Sequence, residues 1–113
     1  MTSSAEQLLA IIDREVKKVP IRGGELYVRS LTVSEHLAME AANATASGDR
    51  FKLMVNQIAA YVCAEDGSAL FTPEQAALFA EKRHPETIKK VVEAAMSLNG
   101  YGKEAREEIA GNS

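Results

Sequence analysis

"PIRGGELYVRSLTVSEHLAME", residues 20–40, decides the fold, because here a chain otherwise patterned for helix turns to strand and back. Val19 and Ile21 alternate with Pro20 and Arg22, Gly23-Gly24 tolerates positive φ, and Leu26-Tyr27-Val28 favours β structure. That spacing predicts a hairpin over 19–29. Pro20 has no N–H to give to a ladder, which places its strand at an edge and leaves the hairpin an open side. Alternation turns Ile21, Leu26 and Val28 toward the rest of the domain and Tyr27 to the other face. At Thr32 the pattern changes. Thr32-Val33-Ser34-Glu35 reads as a capping box, and the alanine-rich run to about Ala46 has high helix propensity, with Leu37, Ala38, Ala41 and Ala42 as its expected buried stripe.

Toward the N-terminus, Ser3-Ser4-Ala5-Glu6 offers another capping box. The helix it opens is expected to run to about Glu15 with Leu8, Leu9, Ile11, Ile12 and Val16 as apolar positions, and Lys17-Lys18 suits its C-terminal end. Toward the C-terminus, Gly48 breaks the alanine-rich helix. Phe51, Met54, Val55, Ile58, Ala59 and Val62 then recur at helical spacing to about Ala64. Asp66-Gly67 is a turn, and Thr72-Pro73-Glu74-Gln75 combines a cap, a proline at the first helical position and a capping-box glutamine, opening a helix to about Lys82. His84-Pro85 interrupts. Ile88, Val91, Val92, Ala95 and Met96 mark a last amphipathic helix stopped by Asn99-Gly100. The expected fold is mainly α, about five helices and one short hairpin. It forms a single domain over residues 1–100, followed by a polar tail, 101–113, expected to be mobile. The expected core is Phe51, Val55, Ile58, Val62, Leu78, Ile88, Val91, Val92 and Ala95.

The 113 residues, 46% of them hydrophobic, fit one domain able to bury a core without disulfides or a structural metal. Thirteen basic against sixteen acidic residues give no general attraction for nucleic acid or anionic lipid. No apolar run approaches the ~20 residues that span a bilayer, and the first residues carry acid where a signal peptide carries base, so an intracellular chain without membrane contact is expected. The sequence lacks a Gly-rich phosphate loop, paired-cysteine metal spacing, HExxH and GxSxG, so the expectation is no enzyme, no cofactor and no metal. Cys63, lying between Val62 and Ala64, reads as a small buried hydrophobe rather than a nucleophile served by His84 or His36. Glu65 and Asp66 read as turn residues rather than an acid–base pair.

Binding signals are fewer. Arg22 and Arg29 flank the hairpin and, with Lys17 and Lys18, form the basic cluster that a phosphate or carboxylate partner would meet, against the plainer reading of an edge strand guarded by charge. Arg22, Tyr27 and Arg29 are therefore the candidate residues for partner binding or self-association, and weak homo-oligomers through the hairpin edge or the alanine-rich helix are expected. A second class of reading takes "PEQAALFAEKRHPETIKKVVEAA", residues 73–95, as a small helix-turn-helix DNA-binding regulator. Thr87, Lys89, Lys90 and Glu93 mix both signs of charge on the would-be reading helix, which ranks it second.

Two blocks, taken in order, carry a family resemblance. "VPIRGGELYVRSLTVSEHL", residues 19–37, runs strand, tight turn, strand ending V-R-x-L-T, then a helix. "AEDGSALFTPEQAALFAEKRHPETIKKVVEAAMSLNG", residues 64–100, runs acidic-glycine turn, L-F-T with a capped helix, then a helix ending L-N-G. Together they resemble the tail assembly chaperones of long-tailed bacteriophages. The resemblance implies a non-catalytic protein that keeps the tape measure protein soluble while tail tube protein assembles around it. It also implies action in the host cytoplasm, absence from the mature virion and a longer frameshifted form. The family has no short invariant binding motif, so the resemblance assigns no residue.

Overall fold

The computed structural model describes residues 4–100, so the polar tail falls outside the described residues. In order, the elements are α1 (Ala5–Ala10), β1 (Val16–Ile21), β2 (Gly24–Arg29), α2 (Val33–Thr45), α3 (Arg50–Tyr61), β3 (Val62–Cys63), α4 (Pro73–Lys82) and α5 (Pro85–Leu98). A mainly helical domain with an N-terminal hairpin is what the sequence predicts. The strands form one antiparallel sheet in the order β1-β2-β3, with Val19 opposite Leu26, Val28 opposite Val62 and Tyr27 opposite Cys63. Proline-bearing β1 lies at an edge, and the positive φ of +88° falls on Gly23, the second residue of the two-residue turn.

Helix α3 is the centre of the domain. It packs against α2, α4 and α5, while α5 also covers β1 and β2. Val28, Ile58, Val62, Val91 and Cys63 are the largest fully buried side chains; withdrawing each of the branched ones from water contributes ~1.5–3 kcal/mol. Two of the helix starts follow their sequence signals, and a third has a cap that the sequence reading did not assign. Thr32 with Glu35 and Thr72 with Gln75 are complete capping boxes, and Asp49 caps α3.

Several expectations need correction. The first helix is capped by Ser4 with Gln7 rather than through Glu6, and it stops at Ala10. Beyond it, tertiary bonds win over helix propensity: Ser30 donates its N–H to the Glu15 carbonyl at 2.8 Å, and the Glu15 N–H meets the Ser30 hydroxyl at 2.7 Å. The chain is thus extended where Lys17 and Lys18 looked like a helix end, and β1 begins at Val16. Helix α3 ends at Tyr61 because Val62 and Cys63 pair with β2 as a third strand. Phe51 and Leu78, expected in the core, are 42% and 53% exposed. On α2 the expected stripe is rotated: Leu37, Ala38 and Ala41 face outward, while Met39 is the buried residue and Ala42 lies half-buried. The remaining expected core positions are buried or packed against the buried cluster.

Candidate helix-docking groove

The three residues singled out from sequence do not form one surface. Arg22 is exposed at the hairpin turn, where its carbonyl accepts from Arg83 Nη1 at 3.0 Å; the Arg83 guanidinium also lies over the Phe79 ring, 5.1 Å from its centroid. Tyr27 is half-buried in the middle strand, flanked in register by Lys18 and Cys63. Arg29 is buried, only 7% exposed, and so is not the surface cation its flanking position predicted. Lys18 is also engaged, 3.5 Å from Glu25 across the hairpin. The expected basic cluster therefore loses Arg29, while Lys17, Lys18 and Arg22 remain exposed.

Arg29 instead belongs to a charged network that sequence spacing does not show. Its Nε donates to the Ala60 carbonyl at 2.9 Å and its Nη1 to the Gly67 carbonyl at 3.1 Å, with Glu35 Oε2 3.3 Å away. Arg14 closes on the same carboxylate with a two-pronged contact, Nη1 to Oε1 at 2.8 Å and Nη2 to Oε2 at 2.9 Å, and Nη1 also reaches the Ser30 carbonyl. Glu35 Oε1 accepts the Thr32 N–H as well, so one carboxylate caps α2 and joins two arginines. Gly67 takes φ +89° here, and a Cβ on it would stand 3.4–3.5 Å from Val16 and Arg14. Asn99 completes the corner by accepting the Leu31 N–H at 2.7 Å and donating to the Arg29 carbonyl at 3.1 Å, which ties the end of α5 to β2 and α2. Beside this network, burial pushes the Cys63 thiol up against the opposing pull of Arg29 and Arg14, so it stays protonated at neutral pH.

The hydrogen bonds from Arg14 hold the Glu35 carboxyl well below the usual carboxylate range, at about 2, against the opposing cost of its partial burial; the Thr32 N–H and the charge of Arg29 act in the same downward direction. A lowered folded-state pKa stabilises the protein above the unfolded-state value of 4.5, and that contribution disappears as pH falls through about 2. Melting temperature should therefore fall between pH 5 and pH 2 more steeply in the parent than in Glu35→Gln. Parallel curves for the two chains would contradict the assignment.

Directly against this network runs a groove of about 350 Å³ between α2 and α3. Ala38, Met39 and Ala42 line one side, Asn56, Ala59 and Ala60 the other, and Phe71 and Pro73 approach from the segment leading into α4. Arg29 and Glu35 close the end where α2 begins and α3 finishes. Near the other end Asn56 Nδ2 donates to Asn43 Oδ1 at 3.1 Å. Alanines on both walls let the backbone of an incoming helix come close, while the charged end supplies polarity for its terminus or a side chain. Val33 and Leu37, 76% and 56% exposed, lie on α2 outside this groove. Of the stripe expected on the alanine-rich helix, Ala38 and Ala42 line the groove rather than a closed core, while Leu37 and Ala41 do not line it, and the facing wall from α3 is not visible in sequence spacing.

The helix pair α4–α5 is joined through Arg83 and His84, with the His84 ring nitrogen Nδ1 accepting the Glu86 N–H at 3.1 Å. The inner side of α5 is consumed by Ile88, Val91 and Ala95; outward lie Glu86 and Glu93 beside Lys89 and Lys90, which is poor complementarity for a phosphate backbone. Among the described residues no cluster of His, Cys, Asp and Glu could hold a metal ion, and no helix is long and apolar enough to cross a membrane. Comparison with known protein families, with curated proteins and with solved structures finds no match.

Proposed function

We propose that the protein is a non-catalytic tail assembly chaperone of a long-tailed bacteriophage, which binds the tape measure protein through the α2–α3 groove and keeps it soluble while the tail tube protein assembles around it. The observation that carries this reading is the alanine-walled groove with Arg29 and Glu35 at its end, which has the shape and chemistry for an amphipathic helix. The resemblance of the two sequence blocks, residues 19–37 and 64–100, lends further support. A long helical partner would engage many copies, each with modest affinity, and gain avidity from their proximity. On this reading the protein acts in the host cytoplasm and is left out of the mature virion.

The experiment is co-expression with the protein encoded immediately downstream, measuring that protein's soluble fraction and its co-purification with this chain. The expected result is a several-fold higher soluble fraction and recovery of both proteins together. An unchanged soluble fraction with no co-purification would refute the chaperone reading, and sequence-specific retention of duplex DNA at physiological salt would favour the helix-turn-helix reading in its place.

A further inference from the structure

The N-terminal segment makes a poor peripheral element. Leu8, Leu9, Ile11 and Ile12 are 58%, 85%, 65% and 68% exposed, and α1 buries none of its residues. A helix of six residues is far below the ~12–15 that hold together unaided in water, so this segment needs a surface. Among the described residues, the first hydrogen bonds from this end to the rest of the domain are those of Arg14 and Glu15 with Ser30 and Glu35.

A second groove, separate from the α2–α3 groove, offers such a surface. It has a volume of about 400 Å³ and lies between α3 and α5. Leu53, Met54, Ile88 and Val92 make it apolar, and its charged residues are Arg50 and Lys89, both basic. The segment from Ser4 to Asp13 carries Glu6 and Asp13, both acidic, and no basic residue. Charge and hydrophobicity therefore match at once: an acidic, aliphatic strip and a basic-rimmed, apolar groove.

We propose that the Ser4–Asp13 segment of one copy seats in the α3–α5 groove of a second copy. The reach of the chain favours a second copy over the segment's own groove. Arg14 is anchored beside Glu35, whose partner Arg29 is bonded to Ala60 at the far end of α3 and, through Asn99, to the far end of α5. The groove spans the first halves of both helices, from Arg50 and Pro85; at ~1.5 Å per residue those starts lie ~15–20 Å along the helices from the anchor. To approach those starts the segment must extend Ile11 to Asp13 fully, at ~3.3–3.6 Å per residue, and the structure instead leaves α1 exposed and outside its own groove. Segment and groove are different patches, so one-way seating extends a chain of copies and reciprocal seating closes a pair. The inference does not depend on the chaperone reading, and its test needs no tape measure protein.

The test mixes a full-length Leu9→Cys chain with a full-length Gln57→Cys chain under mild oxidation; Cys63 is buried and takes no part. A disulfide-linked heterodimer is expected. Arg50→Glu with Lys89→Glu in the groove-bearing chain should abolish it and raise the dissociation constant from sedimentation at least about tenfold, and Glu6→Lys with Asp13→Lys in the other chain should restore it. None of these side chains is buried, so the variants should melt like the parent. A strict monomer at every concentration would overturn the proposal, as would a cross-link formed only within a chain carrying both cysteines, or a heterodimer indifferent to the charge reversals. Retention on phosphatidylcholine vesicles that is lost in Leu9→Ser, without heterodimer formation, would assign the segment to a lipid surface and equally overturn it.

Discussion

Ile58→Asp should unfold the domain. Ile58 is 1% exposed on the central helix and belongs to the cluster that joins α3 to the sheet and to α5. A carboxylate there finds no partner, and the cost of burying it adds to the lost aliphatic contact; together these reach ~5 kcal/mol or more, as large as the lower range of whole-domain stabilities. Far-ultraviolet circular dichroism at 25 °C should show the helical signal of the parent largely gone. The companion substitution Leu78→Asp, on the outer side of α4 at 53% exposure, should stay within about 0.5 kcal/mol of the parent. If Ile58→Asp melted like the parent, the assignment of helix faces would be wrong.

Arg29→Met should cost ~3–5 kcal/mol, the effect expected when one member of a buried ion pair is removed. Met fills much of the same space but leaves the Ala60 and Gly67 carbonyls without their donor and Glu35 with Arg14 alone. Arg29→Lys should recover little, because an ammonium is a single point donor and the guanidinium serves three acceptors in different directions. Lys18→Ala, which removes an exposed pair, should change stability by less than about 1 kcal/mol. Denaturant midpoints for the three variants test the ranking, and a cost for Arg29→Met no larger than that for Lys18→Ala would contradict a buried network.

These two sites also mark what the sequence reveals and what it conceals. Caps are local: Thr32 with Glu35, Thr72 with Gln75 and the Gly23 turn are written within four residues, and each is found where the spacing places it. Helical periodicity likewise identifies Val55, Ile58, Ile88, Val91 and Ala95 as inward. Non-local pairing is not written that way. Val62-Cys63 continues the apolar run of α3, and only the presence of β2 alongside makes it strand. Once β3 and the Gly67 turn cover that side, Arg29 passes from an edge cation to a buried one. Alanine causes the error on α2, since a run of small residues leaves little contrast in periodicity, and Met39 rather than the alanines set which side turns inward. The candidate groove inherits that ambiguity: its alanines are legible as helix formers, whereas their pairing with Ala59, Ala60 and Phe71 belongs to tertiary packing.

The most direct measurement of the central claim is co-purification of the downstream-encoded protein with Ala42→Arg, which places a long cation in the α2–α3 groove at a half-buried position without touching the fully buried core. Ala42→Arg should keep the parent's circular dichroism spectrum but lose most of the co-purified partner, while Lys90→Ala, on the outer side of α5, should retain it. Equal recovery of the partner with Ala42→Arg and with the parent would contradict the groove as the docking site.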